Sequence, residues 1–389
     1  MKSETRVRTL GRNQMSARIA LKPFFRVLSR TWKTNSWPEL SQLLKSRLFP
    51  GWSPKPRIDG QFPPMLFQMA SSYWTSQAIY VGAKLGIADL LKDRPLKCSE
   101  IAEIVGADVG LLFRLMRALS SLGIFARTTD EYFSLLPLGE HLRADIPGSL
   151  KAIIVTLGEI HYQACGALLH AVQTGSPAFD QVFGAGLFEY LSQNADAANS
   201  FNEGMANLAR MLAYGVVFAY DLGRVSSIVD VGGGNGRFLE TILEIYPEIQ
   251  GTVFDSAATI ERDRLRAGLK PRRCSYVAGD FFASIPQGGD LYFLCGVVHD
   301  WDDERVVTIL RNCREAVSTT GRLVLLETVV PENDSKHFSK ILDLNMLAMS
   351  SGRERNRTEF RTLLAAAGFR MSRIVATMAP QSLIEAIPQ

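Results

Sequence analysis

His299 is the side chain best suited to move a proton, because an unperturbed imidazole titrates near about 6.5. It lies in Val297-Val298-His299-Asp300-Trp301-Asp302-Asp303-Glu304, just after an apolar run that ends at Cys295. A second stretch with chemical potential is Asp230-Val231-Gly232-Gly233-Gly234-Asn235-Gly236, between a β-branched run and an apolar helical pattern. Glycine has no Cβ, so backbone amides of such a turn approach a ligand closely, usually a nucleotide cofactor at the edge of a parallel sheet. The nicotinamide fingerprint needs a small residue where Arg237 stands, and the G-K-[S/T] of a phosphate loop is absent. Asp255, 19 residues beyond Gly236, is placed to accept hydrogen bonds from ribose hydroxyls. Asp280-Phe281 offers an acid for an adenine amine and a ring to cover the base, although the same acid suits a turn cap. Asp302, Asp303 and Glu304 favour the N-terminus of a following helix, with a magnesium site as the alternative.

These residues need a scaffold, and from Leu222 onward strands and helices alternate, which indicates a parallel sheet with crossover helices. Strands are expected at 227–231, 251–255, 275–278, 290–295, 322–328, 371–377 and 382–387, and helices at 236–246, 303–317, 337–349 and 357–367. The fold class is therefore α/β, a Rossmann-like doubly wound seven-stranded sheet, with the glycine turn and His299 on the same ligand-facing edge. Met346 and Met349 share one helix face, which suits either the core or an acceptor pocket.

Residues 61–210 read as mainly helical. A helix ends at the glycine stop Gly86, another begins after a polar cap at Ser99, and Asp108 precedes a third through Leu119. Ile124–Arg127 and Tyr132–Leu135 add a two-strand wing, completing a winged-helix pattern. The would-be recognition helix carries only Arg114 and Arg117 among apolar residues, too few polar groups to read a groove. No nucleic-acid partner is expected, and this helix face suits a core or a partner subunit instead.

Charge is unevenly spread. Residues 1–60 hold 13 Lys/Arg against Glu4, Glu39 and Asp59, while the remainder holds 30 Lys/Arg against 36 acids. Arg18, Lys22, Arg26 and Arg30 form one stripe at helical spacing, so residues 18–30 suggest peripheral contact with a membrane surface, a disordered basic tail or a transit segment. The domains expected are thus a basic extension at 1–60, a helical domain at 61–210 and a cofactor-binding domain at 211–389. The five cysteines form no C-x-x-C pair and read as reduced thiols of a cytoplasmic protein, with no disulfide frame and no zinc site.

Asp230, Gly232, Gly234 and Gly236 resemble motif I of class I S-adenosylmethionine (SAM) methyltransferases. Together with Asp255, Gly279-Asp280-Phe281, His299-Asp300-Trp301, Glu327 and Gly352-Arg353-Glu354-Arg355, they resemble the caffeate-type and acetylserotonin-type O-methyltransferases and their bacterial relatives. The resemblance spans roughly residues 65–389. It implies an N-terminal winged-helix dimerisation domain, a homodimer, SAM as cofactor and a small hydroxylated, aromatic acceptor. His299 is implied as general base, with Glu327 and Glu354 holding its ring and no metal required. Asp230, Gly232, Gly233, Gly234, Asp255, Asp280, Phe281 and Cys295 are implied at the cofactor, with the loop's amides and glycines at the amino-acid end of SAM. Cys295 stands where plant members carry lysine, Ser256-Ala257 where they read Leu-Pro, and Asn356 where they carry threonine. A hydroxylated carotenoid or other lipid is the alternative acceptor, and a non-catalytic SAM-binding winged-helix regulator the alternative class. If the 18–30 stripe docks on membranes, full-length protein co-sediments with anionic liposomes and residues 61–389 do not. Equal sedimentation of the two removes the membrane reading.

Overall fold

The computed structural model describes residues 64–128, 130–266 and 273–389, so the basic stripe 18–30 lies outside the described residues. These residues form two compact units that divide at Leu208 and Ala209.

In the N-terminal unit, α1 (Tyr73–Lys84), β1 (Leu96–Lys97), α2 (Cys98–Val105), α3 (Val109–Ser121), β2 (Phe125–Arg127) and β3 (Tyr132–Leu135) build the helix, turn, helix and wing. The Asp108 carboxylate accepts from Leu111 N at 2.8 Å and starts α3. Helix α2 begins differently from the expectation: the Glu100 carboxylate, not Ser99, accepts from Lys97 N at 2.7 Å. Leu112, Met116 and Leu119 recur at helical spacing along α3 and are buried against Phe125 and Phe133. The short strand β1 pairs antiparallel with β3, which makes the wing three-stranded rather than two-stranded. Further helices continue through α4 (Ala195–Ala219), which runs into the C-terminal unit.

The C-terminal unit contains β4 (Ser227–Val231), α5 (Arg237–Ile245), β5 (Gln250–Asp255), α6 (Ala257–Arg266), β6 (Cys274–Ala278), β7 (Leu291–Cys295), α7 (Asp303–Ala316), β8 (Arg322–Val330), α8 (Phe338–Met349), β9 (Arg355–Asn356), α9 (Arg357–Ala366), β10 (Phe369–Ala376) and β11 (Gln381–Pro388). The strand order is β10-β11-β8-β7-β4-β5-β6, with β9 beside the end of β8. Strands β4 to β8 pair in parallel, and β10 and β11 add an antiparallel hairpin. The seven expected strands are all present. Helix α6 and the two-residue strand β9 were not anticipated.

The central strands are apolar on both faces because helices cover both. Val229, Leu294 and Leu325 pack with Ile309 of α7 and Phe360 of α9, while Ile228, Phe293 and Leu326 pack with Phe238 and Leu239 of α5. Met346 and Met349 are buried, which favours the core reading for both. Strands β5 and β6 lie on one side of β4 and β7 and β8 on the other, so the chain reverses its winding there. A crevice opens at such a switch point beyond the C-terminal strand ends, and here the segments after β4 and β7 flank it.

Candidate active site

Strand β4 delivers Asp230 and Val231 to the glycine turn. Gly232 has φ of 71°, a left-handed conformation costly for other residues, and a Cβ there would lie 2.7 Å from the Val297 side chain. At Gly233 a Cβ would lie 2.6 Å from the Asp230 carboxylate, so the absence of a side chain gives the acid its room. The loop's amides are less available than the sequence suggested. Gly232 N and Gly233 N donate to Phe254 O at 2.8 and 3.3 Å, Gly234 N to Asp255 Oδ2 at 2.9 Å, and Gly236 N to Gly233 O at 2.9 Å. What glycine contributes at 232 and 233 is clearance more than donors.

Asp230 is fully buried, and neither carboxylate oxygen has a hydrogen-bond partner. Burial, reinforced by the charge of Asp255, pushes its carboxyl up to about 8. An orphaned acid of this kind suits a ligand with a cationic end. Asp255, at the end of β5, also accepts from Ser256 N at 2.7 Å. Asp280 Oδ1 accepts from Phe282 N at 2.8 Å, so the turn-cap reading of this acid holds, whatever it also binds. The Phe281 ring meets Phe282 and Trp301 edge-on, with centroids 4.9 and 6.1 Å apart. Cys295 ends β7. Burial and the nearby charges of Asp230 and Glu327 push its thiol well up, so it presents a neutral wall where lysine would be cationic.

Across the same sheet edge, a short turn at Val298–Asp300 carries His299. Its Nδ1 lies 3.0 Å from Glu327 Oε2 and 3.6 Å from Glu354 Oε1, and its Nε2 lies 3.6 Å from Asp300 Oδ1. The three residues that the sequence singled out are therefore brought together. Burial alone lowers the imidazole pKa. The charges of Glu327 and Asp300, the Glu327 hydrogen bond and the charge of Glu354 outweigh it and raise His299 to about 10. Burial pushes Glu354 up to about 7, with His299 opposing, and Asp300 up to about 6.

Three contributors were not legible beforehand. Asp300 was read only as part of a run, yet it faces the outer ring nitrogen. Asp343 on α8 accepts from Glu354 N at 2.8 Å, and nothing in the sequence links positions eleven apart across a loop. Arg355 entered only as the last residue of the Gly352–Arg355 run, with no role given, and is fully buried. The acidic run is explained without magnesium: Asp302 caps α7 by accepting from Arg305 N at 2.9 Å, and Asp303 pairs with Arg353 and Arg355. Among the described residues, one group of three such donors has metal-like spacing, His299, Glu327 and Glu354, with ligand atoms within 4.8 Å of one another. Its nearest pair, His299 Nδ1 and Glu327 Oε2, stands 3.0 Å apart as a close ion-pair contact.

A doubly wound sheet with a glycine turn, an orphaned acid and a histidine beside two carboxylates at its switch point is the arrangement of a nucleoside-cofactor enzyme. Comparison with known proteins narrows this. The O-methyltransferase domain profile matches residues 166–370, and the O-methyltransferase dimerisation domain profile matches residues 67–145. A phenazine O-methyltransferase of Lysobacter antibioticus is 41% identical over 326 residues, covering 83% of this chain and 96% of that protein. The solved structure of LaPhzM has a TM-score of 0.79 at 40% identity and covers 84% of this chain and 100% of its own. An O-methyltransferase from neocarzinostatin biosynthesis, solved with SAM and 2-hydroxy-5-methyl naphthoic acid, has a TM-score of 0.69 at 29% identity, covering 85% and 100%. The chain belongs to the O-methyltransferase family and is a SAM-dependent methyltransferase. Its dimerisation domain supports a homodimer.

SAM carries an ammonium and a sulfonium, charges that a buried acid without a partner is suited to meet. The sign of the pH effect follows. The Asp230 carboxyl is raised in the fold from 3.8 to about 8, so the ligand-free protein loses stability as pH rises between those values. Asp230→Asn should therefore melt higher than wild type at pH 8 without ligand, converge with it near pH 4, and bind SAM roughly tenfold or more weakly. Scanning fluorimetry and calorimetric titration check this. Equal melting at pH 8 removes the buried-charge argument, and unchanged SAM affinity removes the charge match.

Proposed function

We propose that the enzyme methylates a hydroxyl group of a small aromatic natural product, with His299 as general base. The observation that carries this reading is the contact of His299 Nδ1 with Glu327 at 3.0 Å. The Glu327 carboxylate facing Nδ1 favours a proton on that nitrogen, the tautomer in which the outer nitrogen, Nε2, holds the lone pair. Nε2 then takes the proton of the acceptor hydroxyl, and Glu327 and Glu354 stabilise the imidazolium that results. Bound SAM supplies a methyl group on a positively charged sulfur, already a strong electrophile, so the protein's tasks are positioning and proton removal.

The residues at the glycine edge would hold that cofactor. Asp230 would face its cationic amino-acid end, Asp255 its ribose hydroxyls, and Asp280 with Phe281 its adenine. Gly232, Gly233 and Gly234 would give it room, and Cys295 would form an uncharged wall. A cation arriving here works against the carboxylates that hold a proton on His299, so loading the site frees the ring to act as a base.

The base also selects its acceptor. The carboxylates make the ring a stronger base than an ordinary imidazole. A phenol, with pKa of about 10, gives up its proton to such a base far more readily than an aliphatic alcohol does. The phenazine and the hydroxynaphthoic acid in the names of two relatives support the same acceptor class.

His299→Ala should lower kcat by about 10²–10⁴-fold on a phenolic acceptor while SAM still binds. Wild-type kcat/KM should fall as pH drops and the ring gains its proton, a limb that the variant lacks. Chelator-treated enzyme should keep full activity. A variant with near wild-type turnover would sink the base assignment, and chelator-sensitive activity would turn the three donors into a metal centre.

A further inference from the structure

Arg355 is the largest fully buried side chain among the described residues, and it directly follows Glu354. A guanidinium has five N–H donors, and all five are engaged. Nη1 donates to Val298 O at 2.9 Å and to Arg353 O at 3.4 Å. Nη2 donates to Trp301 O at 2.7 Å and to Asp303 Oδ1 at 2.8 Å, and Nε donates to the same carboxylate oxygen at 2.9 Å. Val298 and Trp301 bracket the base, one residue before His299 and two after it. On the other side, Glu327 Oε1 accepts from Val297 N and Val298 N at 3.0 and 2.7 Å.

The segment carrying Glu354 is drawn onto the His299 turn by this fork. Strand β9 places Arg355 beside Val329 at the end of β8. Gly352 makes the approach feasible, since a Cβ there would collide with the carbonyl of His299. Asp343 holds Glu354 N from α8. The half-exposed Asp303 supplies the countercharge that a buried guanidinium requires, and Arg355 in turn helps to hold that carboxyl low against burial.

We propose that Arg355 is a positioning residue for methyl transfer: by gripping the carbonyls on both sides of His299 from the segment that carries Glu354, it sets the geometry between base and carboxylate. This rests on the reading of His299 as the base. Arg355 touches neither ring nor carboxylate and acts only through the backbone it holds. Lysine cannot replace it, because an ammonium has three donors and no planar fork. Displacing a reacting group by about 1 Å costs on the order of 10²-fold in rate.

The test compares Arg355→Lys, Asp303→Asn and His299→Ala in the full chain with SAM and a phenolic acceptor. Arg355→Lys should lose roughly 10- to 100-fold in kcat, with SAM affinity and acceptor KM changed by less than about threefold. With the carboxylates less well aligned on the ring, the acidic limb of its kcat/KM profile should move down by about one pH unit. Asp303→Asn keeps an acceptor oxygen for the fork, so it should give a smaller loss in the same direction and serves if Arg355→Lys does not fold. A folded Arg355→Lys within twofold of wild-type kcat overturns the proposal, as does a lower kcat with an unmoved pH profile. Should Arg355→Lys be insoluble, Asp303→Asn with wild-type kcat and pH profile overturns it. If His299→Ala stays active, the base reading fails; if His299→Ala is dead while Arg355→Lys behaves as wild type, only the positioning role fails.

Discussion

The Glu327 carboxylate is the contact on which the site turns. It follows the fully buried run Leu323–Leu326 within β8 and is itself fully buried. One oxygen accepts two backbone amides at the start of the His299 turn, and the other meets the imidazole. A single side chain therefore sets both where the turn leaves the sheet and how the ring is rotated. Because β8 pairs in parallel with β7 through Leu294↔Leu325 and Cys295↔Leu326, the register of two hydrophobic strands dictates the position of His299. Movement of that register would relocate the ring by whole residues, and the packing on both faces of the sheet forbids it.

Around this contact the protein gathers acids that it does not neutralise. Asp230, Asp300 and Glu354 all have carboxyl pKa values raised chiefly by burial. Burying carboxylates without partners destabilises a fold, so such a cluster is retained where a ligand supplies the missing charge. A cationic cofactor on one side and a protonating histidine on the other give the cluster two sources of positive charge.

Much of this was legible in the chain. The β-branched runs at 227–231 and 322–328 and the alternation of strand and helix indicated a parallel sheet, because apolar runs short enough for strands need cover on both faces. The glycine turn and the histidine were visible because left-handed backbone and near-neutral titration are properties of residue types. The expectation that the glycine amides would be free for a ligand was incorrect, since Phe254 and Asp255 on the neighbouring strand already use them. Helix α6 was missed because Glu261, Arg262, Asp263 and Arg264 give it little apolar periodicity.

The sequence by itself determined the fold class, the glycine turn and the candidate histidine, because these depend on hydrophobic period, glycine geometry and the titration range of imidazole. The tertiary structure alone decided which nitrogen of His299 meets Glu327, how far Glu354 stands from it, and that the polar Arg353-Glu354-Arg355 run turns inward. The reason is physical. Distances between β7, β8 and β9 are set by sheet register, and pKa values are set by burial. Neither quantity exists until segments far apart in the chain share one desolvated edge.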